Sequence, residues 1–135
     1  MLHIAEKIIK GHEGLRLRLY KCSAGYWTIG YGRNLEQRGI SLAEAEFMLA
    51  NDLKECEEDL RTFPWWVGLS QARQAALMDM RLQLGAAGLR NFQRMLAAIA
   101  GSDFESAADE ALDSKWARKD TPGRAQDIAR MLREG

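Results

Sequence analysis

Three side chains near the start of this 135-residue chain have the types and spacing to do chemistry. They are Glu13, Cys22 nine residues on, and Thr28 six residues further. A carboxyl group that faces a second basic or nucleophilic group across a gap is the arrangement that glycoside hydrolysis needs. One group protonates the leaving oxygen, and the other activates a water or attacks the sugar. The spacing therefore suggests a glycosidase site, provided that the fold brings these positions together.

A β-hairpin is expected to bring them together. Leucine alternates with Arg and Tyr over residues 15–20, a period of two that predicts a half-buried strand. Residues 23–25 form a plausible turn, and residues 26–31 are rich in the aromatic and β-branched types typical of a strand. Gly30 and Gly32 then allow a bend or the close approach of another group. The alternating leucines are Leu15, Leu17 and Leu19.

A long helix is the clearest element after the hairpin. Residues 41–61 carry apolar side chains at steps of three and four, and Ser41 with Glu44 forms a capping box at the start. Cys56 lies on this apolar stripe and is interpreted as a buried small hydrophobe. A loop over residues 34–39 is expected between the hairpin and the helix.

The remaining segments also predict helices. Residues 2–10 form a short amphipathic pattern that Gly11 is expected to end. In the second half of the chain, three further helices are expected to begin at capping residues. These predicted caps are Ser70, Ser102 and Thr121.

The pattern as a whole predicts a single, mainly helical α+β domain with two lobes. A small β-hairpin lobe covers about 13–40, the linking helix about 41–61, and a larger helical lobe about 62–135 together with 1–11. The chain is long enough for one domain with a core and short for two. The cleft between the lobes is the natural ligand site.

Composition excludes several classes of function. Hydrophobic residues make up 47% of the chain, which argues against disorder, and the formal net charge of zero argues against a general nucleic-acid binder. Residues 1–40 hold seven basic and three acidic residues, a surplus that would suit a polyanionic polymer. Two cysteines are too few for a disulfide framework, so a reduced state is expected.

No targeting segment or metal site is predicted. No apolar run reaches transmembrane length, and residues 1–10 contain Glu6 and lack a continuous apolar core, so no signal peptide is expected. His3 and His12 lie too far apart on the predicted helix to make a metal pair. We therefore expect no metal, no cofactor and no stable insertion into a membrane.

Residues 13–32 together resemble the phage lysozymes of the T-even type, glycoside hydrolase family 24. The likeness lies in Glu13-Gly14-Leu15, then Tyr20-Lys21, then Gly25-Tyr26-Trp27-Thr28-Ile29-Gly30-Tyr31-Gly32. In that family a Glu is followed by Asp or Cys and then by Thr at this spacing. Two later blocks, residues 72–85 and 114–125, match in the family's order, so the resemblance covers most of the chain.

The resemblance implies a lysozyme-like fold and a muramidase that lyses bacterial cells. It implies cleavage of the β-1,4 bond between N-acetylmuramic acid and N-acetylglucosamine in peptidoglycan, with inversion. Glu13 would be the general acid in a partly desolvated site, while Cys22 and Thr28 would flank the anomeric carbon and position the attacking water. Arg124 would lie close to Glu13 and support it. The family's substrate-contact positions fall at Asn34, Leu82, Met95 and Glu110.

Two positions depart from the family pattern. Cys22 replaces the catalytic Asp of the best-known member, and Arg33 stands where a His usually follows the Gly-x-Gly strand. A thiol is a poorer base than a carboxylate unless it is ionised, and a free Cys has a pKa of about 8.5. Lys21 or Arg33 is expected to favour the thiolate.

Rival interpretations stay open at this point. A lone Glu13 could act as a lytic transglycosylase, or the chain could bind peptidoglycan without cutting it. A third alternative is a helical scaffold in which the hairpin is incidental. We expect a monomer whose partner is peptidoglycan and not nucleic acid. It would be held in the host cytoplasm until it reaches the wall, or be delivered by a virion.

Overall fold

The fold is mainly helical with one small antiparallel sheet of three strands. The computed structural model describes all 135 residues, and it confirms the predicted α+β class. The chain divides into two compact units, residues 1–48 and 49–135. Residues 1–11 lie in the first of these units, and their predicted place in the larger helical lobe stays a prediction. No helix is both long enough and apolar enough to cross a membrane.

The first helix, α1, is longer than predicted. Gly11 keeps a helical conformation, and the helix ends at Gly14, whose φ of 69° only glycine adopts readily. The amide of Gly14 donates to the carbonyl of Lys10 over 3.0 Å, which closes the last turn. The elements of the first unit are α1 (Leu2–Glu13), β1 (Arg16–Lys21), β2 (Trp27–Gly30), β3 (Arg33–Asn34) and α2 (Leu35–Arg38).

The predicted hairpin is present, with β1 antiparallel to β2. Tyr20 pairs with Thr28, and at the turn the amide of Gly25 donates to the carbonyl of Cys22 over 2.8 Å. Gly25 has a φ of 86°, as a tight turn of this kind requires. The structure therefore confirms the predicted turn.

The predicted burial of the alternating leucines is wrong. Leu15, Leu17 and Leu19 are 53%, 80% and 56% exposed. β1 is an edge strand whose register shifts between Arg16 and Tyr20, and Thr28 is the one buried residue among residues 1–48. The small unit thus has no buried apolar cluster that could receive the leucines.

The segment expected to be a loop carries regular structure. β3 pairs with β2 through Thr28 opposite Asn34, and α2 follows directly. The side chain of Asn34 caps α2, because its Oδ1 accepts from the amide of Gln37 over 3.0 Å. A four-residue helix is too short to show the apolar periodicity by which longer helices are recognised, so only a loop was predicted here.

The long helix α3 (Leu42–Leu60) and its capping box are confirmed. The amide of Glu44 donates to Ser41 Oγ over 3.1 Å, and the amide of Ser41 donates back to Glu44 Oε1 over 2.9 Å. The predicted apolar stripe is buried at its end, where Cys56 and Leu60 are 2% and 0% exposed, and is exposed at Leu42.

The second unit is a helical bundle around one apolar core. Its helices after α3 are α4 (Gln71–Arg90), α5 (Gln93–Ala100), α6 (Phe104–Leu112) and α7 (Pro122–Glu134), with a 3₁₀ turn at Trp66–Gly68 and a π-helical turn at Trp116–Asp120. Gly85, with a φ of 78°, interrupts α4. The largest fully buried side chains are Leu60, Leu77, Met80, Leu89, Met95, Ile99, Ile128 and Leu132.

The three predicted caps have different outcomes. Ser70 Oγ accepts from the amide of Arg73 over 3.2 Å, so Ser70 caps α4 as predicted. The prediction for Ser102 is wrong, because Asp103 caps α6 by accepting from the amide of Ser106. Thr121 does precede α7, with Pro122 at its first position, but its hydroxyl does not cap the helix.

The hydroxyl of Thr121 belongs instead to a half-buried chain of hydrogen bonds. The indole Nε1–H of Trp116 donates to Gln83 Oε1 over 2.9 Å, and Gln83 Nε2 donates to Thr121 Oγ1 over 3.0 Å. Trp116 is 4% exposed and belongs to the apolar core. The chain satisfies the one polar atom that this large side chain buries.

The structure predicts that Cys56 is structural and dispensable for activity. Burial raises the pKa of its thiol, which keeps the group neutral, and the side chain packs as a small hydrophobe. Cys56→Ala should lower the free energy of unfolding by about 1 kcal/mol, measured by urea denaturation, and leave specific activity unchanged. A large loss of activity at an unchanged melting temperature would contradict this interpretation.

Candidate active site

Glu13 occupies the last position of α1, where the chain turns sharply at Gly14 into β1. Its side chain is exposed to solvent, so the free enzyme does not provide the partial desolvation expected for a general acid. Within its own unit it makes no ion pair or hydrogen bond, unlike Glu6, which pairs with Lys10 over 2.8 Å. The carboxyl group of Glu13 is therefore free to meet a substrate.

The carboxyl group of Glu13 lies directly against the backbone of Gly32. A β-carbon at Gly32 would overlap Glu13 Oε2 and lie 2.6 Å from its Cδ. The ammonium group of Lys10, one turn before Glu13, stands 5.2 Å from the ring centroid of Tyr31. The end of α1 and the turn after β2 are thus held side by side.

Cys22 and Thr28 meet at the turn end of the hairpin. Thr28 is 2% exposed, and its hydroxyl donates to the carbonyl of Tyr26 over 2.8 Å. The backbone amide of Tyr26 does most to lower the pKa of the half-buried Cys22 thiol. The amides of Ala24 and Gly25 and the Thr28 hydroxyl add to this effect, and burial opposes it. The hairpin therefore favours the thiolate at Cys22.

The charged side chains expected to favour the thiolate do not supply this effect. The ammonium group of Lys21 stands 5.0 Å from the ring centroid of Trp27. Arg33 donates to Glu44 Oε1 over 2.9 Å and to the carbonyl of Gly39 over 3.2 Å. The peptide dipoles of the turn, and not the expected cations, lower the pKa of Cys22. The pattern of side chains in the sequence does not reveal these dipoles.

Glu44 is a carboxylate at the other end of the small sheet. Hydrogen bonds from Arg33, and then from the amide and hydroxyl of Ser41, lower its pKa to about 2. A carboxyl group with so low a pKa is ionised near neutrality and cannot donate a proton to a leaving group. Glu13, which has no such partner, is therefore a better candidate for a general acid than Glu44.

Arg124, the predicted partner of Glu13, lies in the second unit. Its guanidinium group donates to the carboxylate of Asp79 through Nε over 2.8 Å and also through Nη2. Sequence reasoning missed Asp79, although a carboxylate between the buried Leu77 and Met80 of α4 was the signal for it. A role of Arg124 beside Glu13 stays a prediction.

Two of the four predicted substrate contacts share one cavity. Met95 and Glu110 line a cavity of about 420 Å³ between the start of α5 and the end of α6. Met95 is 1% exposed and forms part of the floor, and Glu110 is half-buried. Asn91, Arg94 and Asp113 add polar groups to the wall.

The other two predicted contacts lie elsewhere. The amide group of Asn34 is engaged in capping α2, and Leu82 is 36% exposed on α4. Neither lines the cavity that Met95 and Glu110 share. Substrate contact at these four positions remains a prediction.

Comparison with known proteins identifies the family. The phage lysozyme family matches residues 10–130, and the chain belongs to it. The endolysin of Acyrthosiphon pisum secondary endosymbiont phage 1 is 30% identical over 138 residues, which cover 98% of this chain and 92% of that protein. A probable T4-type lysozyme 1 of Dictyostelium discoideum is 24% identical over 165 residues, which cover 100% of this chain and 96% of that protein.

A third relative is much longer than this chain. The pre-baseplate central spike protein Gp5 of Enterobacteria phage T4 is 27% identical over 158 residues, which cover 96% of this chain. The chain spans only 27% of the length of that spike protein. The predicted family is confirmed, and the chain is a lysozyme-type glycosidase that hydrolyses peptidoglycan.

The hydrogen bonds at the turn predict that the Cys22 thiol ionises at a lower pH than an ordinary thiol. In a Cys56→Ala background, where Cys22 is the only thiol, the rate of alkylation by iodoacetamide should rise through a midpoint below that of an ordinary thiol. The sign follows from the lowered pKa, since the thiolate is the reacting form and accumulates at lower pH. Thr28→Val removes one of the groups that lower the pKa and should move the midpoint to higher pH. If the midpoint is unchanged in Thr28→Val, the Thr28 hydroxyl does not lower the pKa of the Cys22 thiol.

Proposed function

We propose that this enzyme cleaves the β-1,4 bond between N-acetylmuramic acid and N-acetylglucosamine, with inversion, during bacterial lysis. One observation carries the proposal: the first unit alone presents an unpaired carboxyl group, Glu13, together with a Cys22 thiol whose pKa is lowered. An inverting glycosidase needs one group that protonates the leaving oxygen and a second group that activates a water. Membership of the phage lysozyme family supports the choice of peptidoglycan.

Glu13 is the general acid in this mechanism. It protonates the glycosidic oxygen as the bond to the anomeric carbon breaks, which yields a neutral leaving sugar. Because Glu13 is exposed in the free enzyme, the bound sugar covers it and supplies the desolvation that favours the protonated acid.

Cys22 is the general base, and Thr28 orients it. The Cys22 thiolate accepts a proton from a water on the opposite face of the sugar ring, and the resulting hydroxide attacks the anomeric carbon. Thr28 is buried and its hydroxyl is directed to the Tyr26 carbonyl, so it acts by fixing the turn that surrounds the thiol.

The role in lysis rests on the nature of the relatives. The match to an endolysin over 92% of that protein's length supports a role in lysis. The proposal includes a monomer that is held in the host cytoplasm until it reaches the wall. Delivery by a virion is the alternative, and the partial match to a central spike protein favours it.

A second reaction is favoured by one specific observation. The turn of the hairpin carries Cys22 where a carboxylate would complete a pair of acids, and Glu44 is engaged by Arg33. A lone Glu13 could then act as a lytic transglycosylase that uses the substrate's own hydroxyl group. Mass spectrometry of the products separates the two reactions, because hydrolysis leaves a reducing muramic acid end and transglycosylation leaves a 1,6-anhydro end.

Glu13→Gln is expected to abolish lysis of permeabilised Gram-negative cells, measured as the loss of turbidity. The amide is nearly isosteric with the acid but cannot supply a proton, and general acid catalysis contributes about 10²–10⁴-fold. Glu46→Gln, at an exposed acid of α3 in the same unit, is the matched control and should retain full activity. Near-normal lysis by Glu13→Gln would sink both the proposed hydrolysis and the transglycosylase alternative.

The two substitutions at Cys22 test its role as base. Cys22→Asp should remain active because it restores a carboxylate, whereas Cys22→Ala should lose about 10²–10⁴-fold of the rate. In the Cys56→Ala background, alkylation should inactivate the enzyme that retains Cys22 and spare the Asp variant. Full activity in Cys22→Ala would remove Cys22 from the mechanism and favour a lone Glu13.

A further inference from the structure

Gly32 touches the candidate acid in a way that no other glycine of the first unit does. Its φ is 76°, and a β-carbon there would overlap the carboxyl group of Glu13. Gly14, Gly25 and Gly30 also have positive φ values, of 69°, 86° and 71°, but a β-carbon at any of them would meet nothing within 4 Å. Backbone conformation alone therefore accounts for those three glycines, and Gly32 carries a second, steric requirement.

The backbone at Gly32 is fixed on both sides, so it cannot move away from Glu13 easily. The residue lies in the turn between β2 and β3, where Ile29 pairs with Arg33. The contact of Lys10 with the ring of Tyr31 holds the end of α1 against the same turn. An added side chain at position 32 must therefore displace the carboxyl end of Glu13, which can rotate about single bonds.

We propose that Gly32 is a positioning residue for Glu13, because its bare α-carbon forms the surface on which the carboxyl group rests. This inference rests on the proposed role of Glu13 as general acid. Contact with the turn restricts the rotamers of Glu13 and sets where its proton is presented. Misplacement of a reacting group by about 1 Å can cost about 10²-fold in rate.

A matched pair of alanine variants tests the proposal. Gly32→Ala and Gly30→Ala both place an alanine at a positive φ, so both should lower the melting temperature by a similar amount. In hydrolysis of purified peptidoglycan, Gly32→Ala should lower kcat by about 10²-fold with little change in KM, and Gly30→Ala should leave kcat within about threefold of wild type. Equal effects of the two variants on kcat would overturn the proposal.

A readout independent of activity is the carboxyl ¹³C signal of Glu13 in labelled protein. Gly32→Ala should shift this signal, whereas Gly30→Ala should leave it in place, since only position 32 contacts the group. This measurement requires a folded variant but no enzymatic activity. An unmoved Glu13 signal in folded Gly32→Ala would also overturn the proposal.

A shorter acid supplies the rescue experiment. In a Glu13→Asp background the carboxyl group is withdrawn by one methylene, so adding Gly32→Ala should cost less than about threefold instead of about 10²-fold. Failure of the proposed function appears separately, as activity retained in Glu13→Gln. If Glu13→Gln is inactive but Gly32→Ala costs the same in both backgrounds, the positioning role alone is wrong.

Discussion

The antiparallel pairing of β1 with β2 is the constraint on which the candidate site depends. The pairing of Tyr20 with Thr28 fixes the turn that holds Cys22, and the extension of β2 into the next turn carries Gly32 to the carboxyl group of Glu13. Few side chains of this unit are buried, so the hydrogen-bonded ladder does more than apolar packing to hold the site. The candidate site residues are therefore held in place mainly by the backbone.

Backbone groups also determine the electrostatics around Cys22. Cations that could act on Cys22 are engaged elsewhere, Lys21 with the ring of Trp27 and Arg33 with Glu44. The peptide amides around the turn lower the pKa of the thiol instead. Fixed dipoles need no reorganisation when charge develops, whereas a lysine ammonium group on a flexible stem must be ordered at an entropic cost.

Local signals in the sequence were sufficient for the hairpin, the long helix and the Ser41 cap, because each depends on residues within a few positions of one another. Interactions between distant residues were not predictable. Arg124 pairs with Asp79, and Leu17 is exposed although its strand pattern predicts burial. Both depend on tertiary contacts that periodicity does not encode. Gly32 was predicted only to allow the close approach of another group, because the sequence does not show that this group is the carboxyl of Glu13.

The hydrogen-bonded chain through Gln83 links three positions that lie far apart along the sequence. The indole of Trp116 must have an acceptor, which fixes the carbonyl oxygen of Gln83 toward it and leaves the amide nitrogen for Thr121. A glutamate at position 83 would put a charge beside a buried ring, and a leucine would strand the indole N–H. The three residues therefore depend on one another, so a chain without the tryptophan would no longer need an acceptor at position 83.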